Sequence, residues 1–190
     1  MSSGMHVSSA DLEAGLPEIL RSPPTEGTVE LIVRRPAEGE REVLEEATLD
    51  LAQGLVGDRW WARARSNREP VDTGTQLTLM NARVIALIAP DHKRRPLAGD
   101  QLHVDLDLRP ENLPTGTRLA LGSAVIEVTD QPHTGCAKFT ERFGSDAIRF
   151  VNSRSGRDLR LRGLNARVVE PGTIRAGDTI RKLTVATGSP

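Results

Sequence analysis

The chain predicts a mainly β fold of α+β type, a barrel core decorated by a few short helices, and three observations carry that expectation. Short runs of alternating or continuous apolar residues recur along it, glycine-rich turns separate them, and only two or three stretches carry a helical period. Such an inventory suits a barrel or a sandwich. A parallel βαβ sheet fits poorly, because the helices are too few to serve as crossovers and the strand patterns read as half-buried rather than uniformly apolar.

Along the chain, residues 1–27 read as an N-terminal extension, with a short helix over Asp11–Leu20 that Ser22-Pro23-Pro24 stops. Residues 28–184 form the barrel domain and 185–190 a flexible tail. Val29, Leu31 and Val33 alternate with Glu30, Ile32 and Arg34 in an imperfect period of two that suggests a strand, and Pro36–Glu40 suits a hairpin turn into a second strand through Val43 and Leu44. Gln76–Met80 reads as a strand, after which Asn81 caps a helix over Ala82–Ile88 that ends before Pro90. His103–Leu108 alternates polar and apolar, and Arg118–Gly122, Ala124–Val128, Leu164–Val169 and Asp178–Leu183 supply further strands. Gly116–Gly122 and Gly172–Gly177 echo each other as two similar barrel turns.

Composition narrows the function classes. A chain of 190 residues and 20.6 kDa is large enough for one core without disulfides or structural metal, and its single cysteine excludes an intramolecular disulfide. The expectation is a soluble cytoplasmic protein, since no basic-then-apolar leader opens the chain and no run of about 18 apolar residues occurs. Lys and Arg number 25 against 26 for Asp and Glu, so net charge calls for neither nucleic acid nor a membrane surface. With three Phe, two Trp and no Tyr, platforms for stacking the bases of a nucleic-acid strand are not expected. The segment Arg142–Arg167 is locally basic, with seven arginines against Asp146 and Asp158, and reads either as a solvated face or as an anion pocket.

The chemistry-bearing candidate is Cys136. It lies in Gln131-Pro132-His133-Thr134-Gly135-Cys136-Ala137-Lys138-Phe139, where a turn hands over to a helix whose Phe139 and Phe143 share one face. A helix N-terminus, Lys138 and His133 all favour a thiolate, the nucleophilic form of cysteine. The competing reading is a small buried hydrophobe. His133 is near enough in sequence to exchange a proton with the thiol, but the chain offers no second cysteine for a structural zinc site. Neither a Gly-x-Ser-x-Gly elbow nor a Walker-type phosphate loop is present. A second constellation is Gly54-Leu55-Val56-Gly57-Asp58-Arg59-Trp60-Trp61, where Asp58 is expected to orient Arg59 toward a phosphate or carboxylate. Its alternative is a glycine turn with a surface ion pair beside core tryptophans.

Taken in order, Gly54–Arg59, Gln76–Met80, Asn112–Thr117, Pro132–Phe139 and Ala166–Val169 followed by Gly172–Asp178 resemble the MOSC domain, the module named for the C-terminal part of molybdenum-cofactor sulfurases. The likeness spans roughly residues 28–183. It implies a barrel-like fold and an essential cysteine, here Cys136, that carries sulfur as a persulfide or ligates the molybdenum of a molybdopterin cofactor. Stand-alone bacterial relatives include reductases of N-hydroxylated compounds. On this chain the resemblance implies Cys136 as the catalytic residue and metal ligand; local chemistry adds His133 as its catalytic partner, with Lys138 tuning the thiolate, and charge and motif position add Arg59, Lys138, Arg149, Arg167 and Asn112 around a pterin phosphate or a small anionic substrate. The partner it implies is a cysteine desulfurase or an electron-transfer protein. Pyridoxal phosphate belongs to the desulfurase domains that often accompany the family, and no lysine motif here supports binding it. Two departures stand out: His133-Thr134-Gly135-Cys136 replaces a common Pro-Cys, and Gly99-Asp100-Gln101 occupies the place of a Gly-Glu-Asn turn. The alternative class is a non-catalytic module for a small anion or a protein, with Cys136 packed inside.

Overall fold

The computed structural model describes residues 6–66 and 71–184, so the tail expected at 185–190 lies outside the described residues. In chain order the elements are α1 (Ser9–Leu20), β1 (Glu26–Arg34), β2 (Glu42–Leu44), β3 (Glu46–Asp50), β4 (Gly54–Leu55), α2 (Arg59–Ser66), β5 (Leu77–Asn81), α3 (Ala82–Ile88), β6 (Leu102–Asp105), β7 (Arg118–Leu121), β8 (Ala124–Val128), α4 (Ala137–Asn152), α5 (Arg154–Asp158), β9 (Leu164–Glu170), β10 (Gly172–Arg175) and β11 (Thr179–Lys182). Short 3-10 turns cover Thr73–Thr75 and His92–Ala98.

Seven strands close a mixed barrel in the order β11-β7-β8-β9-β5-β6-β1, sealed by pairing of β1 with β11. Closure leaves the ring no open edge. β2 folds back on β1 as the expected hairpin, and β10, β3 and β4 form a separate small sheet. All pairs are antiparallel except β5 with β6, which α3 connects as the crossover that parallel neighbours require. One βαβ unit is thus built into a barrel that otherwise has none. Asn81 starts α3 as a local cap, its side chain accepting from the amides of Arg83 and Val84.

Two apolar clusters follow from the two-residue period of the strands. Leu77, Leu79, Leu102, Val104, Ile126 and Ala166 fill the barrel interior. Met80, whose side chain alternates to the other face, joins Val84, Ile85, Phe139, Phe143 and Leu12 in a second cluster beneath the helices. His103 stands opposite Met80 in register and is buried there too. The polar face expected along 103–108 is therefore covered rather than solvated, and the strand stops at Asp105. α1 begins at a Ser8 cap and sets Leu12 and Ile19 into the helical cluster, so the extension is packed against the barrel domain.

Gly144 interrupts α4 with φ 89° and ψ 171°, dividing it into two helical arms. Asn152 at the end of the second arm clasps Gly135 before the first, donating to its carbonyl at 3.1 Å and accepting from its amide at 2.9 Å. The loop that carries Cys136 is held in place by this clasp. Gly163, at φ +105°, brings the start of β9 against β5, and a Cβ there would lie 2.0 Å from the Leu79 carbonyl oxygen. Gly163→Ala is expected to destabilise the fold by more than about 2 kcal/mol, because the strained dihedral and a clash with rigid backbone act together. Urea denaturation of the variant at neutral pH measures it.

Candidate functional site

Four stretches distant in sequence, together with Asn165 of β9, enclose a cleft of about 700 Å³. The β1–β2 connection contributes Arg35 and Arg41, α2 contributes Arg59, Trp60 and Arg63, and the first arm of α4 contributes Lys138 and Arg142. Asp72 and Thr75 come from the Thr73–Thr75 turn and its flank, and Pro132 and His133 from the loop before α4. Among the described lining residues six cationic side chains face one carboxylate, Asp72. The crowding is visible at Arg41: burial, and then Arg142, Arg35 and Arg59, push its pKa down, and its buried Nε has no partner among the described residues. An anion entering here would meet donors already gathered and partly desolvated.

The cations differ in how far they are neutralised. Arg35 is held by Asp58, with Nη2 to Oδ1 at 2.7 Å and Nε to Oδ2 at 2.9 Å, and it donates to the Gly99 carbonyl. Lys138 pairs with Glu38, and Arg142 donates to the Leu97 carbonyl. Arg59 and Arg63 make no ion pair among the described residues. The expected Asp58–Arg59 pairing is therefore corrected: the buried Asp58 carboxylate is spent on Arg35 and on the Trp60 amide, which it caps at 2.9 Å. Side chains adjacent in sequence at a helix start do not face each other. Nor are the tryptophans core anchors, since α2 buries none of its residues.

Behind the cleft lies Asp100, whose side chain is fully buried. Its carboxylate receives Arg162 Nη1 at 2.9 and 2.7 Å and His133 Nε2 at 2.7 Å. Burial by itself would raise its pKa; Arg162 and His133 outweigh that and hold it well below the usual carboxylate range. The Arg162 guanidinium also donates to the Ala98 carbonyl and lies 4.9 Å over the Phe139 ring. His133 is pushed below its ordinary pKa by burial and by Arg162, against the pull of Asp100. A neutral imidazole beside an ionised carboxylate carries its proton on Nε2, so Nδ1 keeps a lone pair for a base or ligand role. His103 is pushed down to about 4 by burial, and neither ring nitrogen has a partner among the described residues.

Cys136 is the N-cap of α4 and is exposed. Its carbonyl accepts from the amides of Phe139 and Thr140, while its sulfur makes no hydrogen bond among the described residues. Exposure overturns the reading of a buried structural cysteine. Cys136 is not part of the cleft wall, although Lys138, two residues on, is. His133 turns to Asp100 and makes no hydrogen bond to the thiol.

Of the residues singled out from sequence, Arg59, His133 and Lys138 meet in the cleft. The others lie elsewhere: Arg149 pairs with Asp146 on α4, Arg167 pairs with Glu127 across β8 and β9, and Asn112 donates to the Pro24 and Asp107 carbonyls. The basic run from Arg142 to Arg167 likewise disperses, with Arg142 in the cleft, Arg162 on Asp100 and Arg160 on the Leu108 and Leu113 carbonyls. Sequence reasoning missed Arg35, Arg41, Arg63 and Asp100. For Asp100 the available signal was its place in the Gly99-Asp100-Gln101 turn, a charge set directly before an apolar strand.

Two outcomes follow for stability. Asp100→Asn leaves the Arg162 charge buried without its counter-ion and is expected to cost about 3 kcal/mol or more in urea denaturation at neutral pH. His103 has a folded pKa below its unfolded value, so the unfolded state binds the extra proton as pH falls below the unfolded pKa. Stability is full above that point and is lost down to about 4, amounting to about 2 kcal/mol at pH 5. Urea denaturation at neutral pH and at about pH 5 should show that loss in the wild type, with most of it absent in His103→Gln.

The model of the MOSC domain family matches residues 93–181, a segment that holds Asp100, His133, Cys136, Lys138, Arg142 and Arg162. Among solved structures, the YUAD protein from Bacillus subtilis aligns at TM-score 0.61 and 17% identity, over 82% of this chain and 94% of that one. YiiM from Escherichia coli aligns at TM-score 0.55 and 20% identity, over 84% and 71% of the two chains. YiiM from Geobacillus stearothermophilus aligns at TM-score 0.51 and 14% identity, over 86% and 75%. At such identities these structures speak for the fold, and no curated protein matches the chain. The barrel is shared with these proteins, and residues 93–181, which include the loop of Cys136, match the MOSC domain family model.

Proposed function

We propose that this protein binds a phosphate-bearing pterin, the molybdenum cofactor, in the cationic cleft and uses Cys136 as a sulfur carrier toward it. The observation that carries the reading is the cleft itself, six cationic side chains against Asp72 with an unpartnered guanidinium nitrogen on Arg41. A phosphate supplies the acceptor oxygens that such donors lack. Arg41, Arg59, Arg63 and Arg142 would hold it, and Arg35 is fixed in place by Asp58. When bound, the cofactor supplies the redox chemistry of molybdenum. Among the described residues no group of three or more His, Cys, Asp or Glu side chains is placed to hold a metal ion, so the metal would come with its own ligands.

Sulfur carriage is favoured by the exposure of Cys136 outside the cleft wall, where a donor protein can reach it. The thiolate attacks the terminal sulfur of a donor persulfide, the new S–S bond forms on Cys136, and the donor leaves as its own thiolate. His133, with Nδ1 free, serves as the nearby base of the loop. Ligation of molybdenum by Cys136, in reduction of N-hydroxylated compounds, is the second reading. It is favoured by the two-residue step from Cys136 to the cleft-lining Lys138 and by the affinity of soft thiolate ligands for such centres.

Mass spectrometry after incubation with a cysteine desulfurase and cysteine is expected to show one added sulfur on the Cys136 peptide, and none in Cys136→Ser. An unmodified Cys136 that still alkylates readily would refute carriage. Molybdenum that copurifies from a molybdopterin-producing host and vanishes in Cys136→Ser would then support ligation.

A further inference from the structure

We propose that Trp60 is a stacking platform, so that the cleft selects anions carrying a flat heteroaromatic ring over bare phosphates. This rests on the reading of the cleft as an anion site and names the class of ligand it takes. The chain contains two tryptophans and no tyrosine, and both tryptophans sit on α2, a helix that buries none of its residues. Neither indole is therefore spent on the core. Trp60 is the only tryptophan, tyrosine or phenylalanine among the described residues of the cleft wall, and the other ring there, His133, is held by Asp100.

The indole is also held. Its Nε1 donates to Thr75 Oγ1 at 3.3 Å, which joins α2 to the Thr73–Thr75 turn, and the Trp60 amide is capped by Asp58. Trp61 stacks beside it at 6.5 Å between ring centroids and 26° between planes, and Arg65 lies 5.5 Å from the Trp61 centroid. With the polar edge of the ring occupied by Thr75, the use left to Trp60 in the cleft is through its π face. Arg59 and Arg63 flank it on the same helix and supply phosphate donors. An indole gains nothing from inorganic phosphate, which has no π system. A cleft of about 700 Å³ is also far larger than a lone phosphate needs and falls in the range of small-molecule sites. A pterin and a purine share the required chemistry, a planar nitrogen heterocycle joined to a phosphate.

The test uses Trp61→Phe protein, in which Trp60 is the only remaining indole reporter, titrated with neopterin phosphate, GMP and ribose 5-phosphate by fluorescence and calorimetry. The ring-bearing ligands are expected to quench Trp60 and to bind about tenfold more tightly than ribose 5-phosphate. Adding Trp60→Leu should reduce that ratio to about twofold at most while leaving ribose 5-phosphate affinity in place, and Trp60→Phe should restore part of it. Equal affinity for ringed and ringless phosphates would overturn the stacking role and leave the anion cleft standing. Absence of binding by every phosphate would overturn both. The order of neopterin phosphate and GMP tells which heterocycle the platform favours, and tighter binding of either supports it.

Discussion

A single carboxylate shut away from water organises this molecule around its site. Asp100 keeps its charge because Arg162 and His133 surround it, and each partner belongs to a different part of the chain. Arg162 precedes β9, His133 lies in the loop before α4, and Asp100 itself closes the turn into β6. The same guanidinium rests on Phe139 in the first turn of α4. Removing one member of such a buried set strands the charge of another, so the three elements cannot shift independently. The loop that presents Cys136 inherits its position from that constraint, and from the clasp between Gly135 and Asn152.

The cleft is the counterpart of that closed arrangement. Behind the wall, Asp100 offsets Arg162; inside it, Arg59 and Arg63 make no ion pair among the described residues, the nearby Glu38 being paired with Lys138. Asp58 and Glu38 neutralise Arg35 and Lys138, which leaves the residual positive charge concentrated near Arg41, Arg59, Arg63 and Arg142. Net charge over the chain is −1, so the attraction is local to this concavity and not a property of the surface as a whole. Low-dielectric walls strengthen such a local field, and charge accumulated without a partner is a standing preference for an anion.

Much of the barrel could be read from the chain because its strands are local patterns. Val29, Gln76–Met80 and Ala124–Val128 announce their elements by hydrophobicity alone, and Asn81 followed by Ala82–Ile88 is a cap and helix whose physics is contained in eight residues. What escaped is what depends on pairing at a distance. The parallel register of β5 and β6 leaves no mark in either strand, and the burial of His103 depends on helices that cover its face from elsewhere. The break at Gly144 was hidden because one glycine inside a helical period is tolerated. The site was legible only in part for a related reason. Cys136, His133, Lys138 and Arg59 lie in conspicuous local motifs, whereas Arg35 and Arg41 become meaningful only once the β1–β2 connection meets α2 and α4. Charge density along the chain pointed to residues 142–167, yet folding sends those arginines to separate places.

The offset between the thiol and the cleft bears on mechanism. A sulfur sealed inside the wall could meet a bound ligand but would be screened from a donor protein, while one on a remote surface could meet the donor and never the ligand. Cys136 is exposed outside the cleft wall; it starts the helix that carries Lys138 and Arg142 into the cleft, and its loop also carries His133 into the same wall. Under the proposed sulfur carriage a carrier must be accessible twice, once to receive and once to deliver; the exposure of Cys136 favours the first demand, and its sharing a loop and helix with cleft residues favours the second. Rigidity comes from the Asp100 cluster and the Gly135 clasp; reach comes from placing the sulfur at the first residue beyond them.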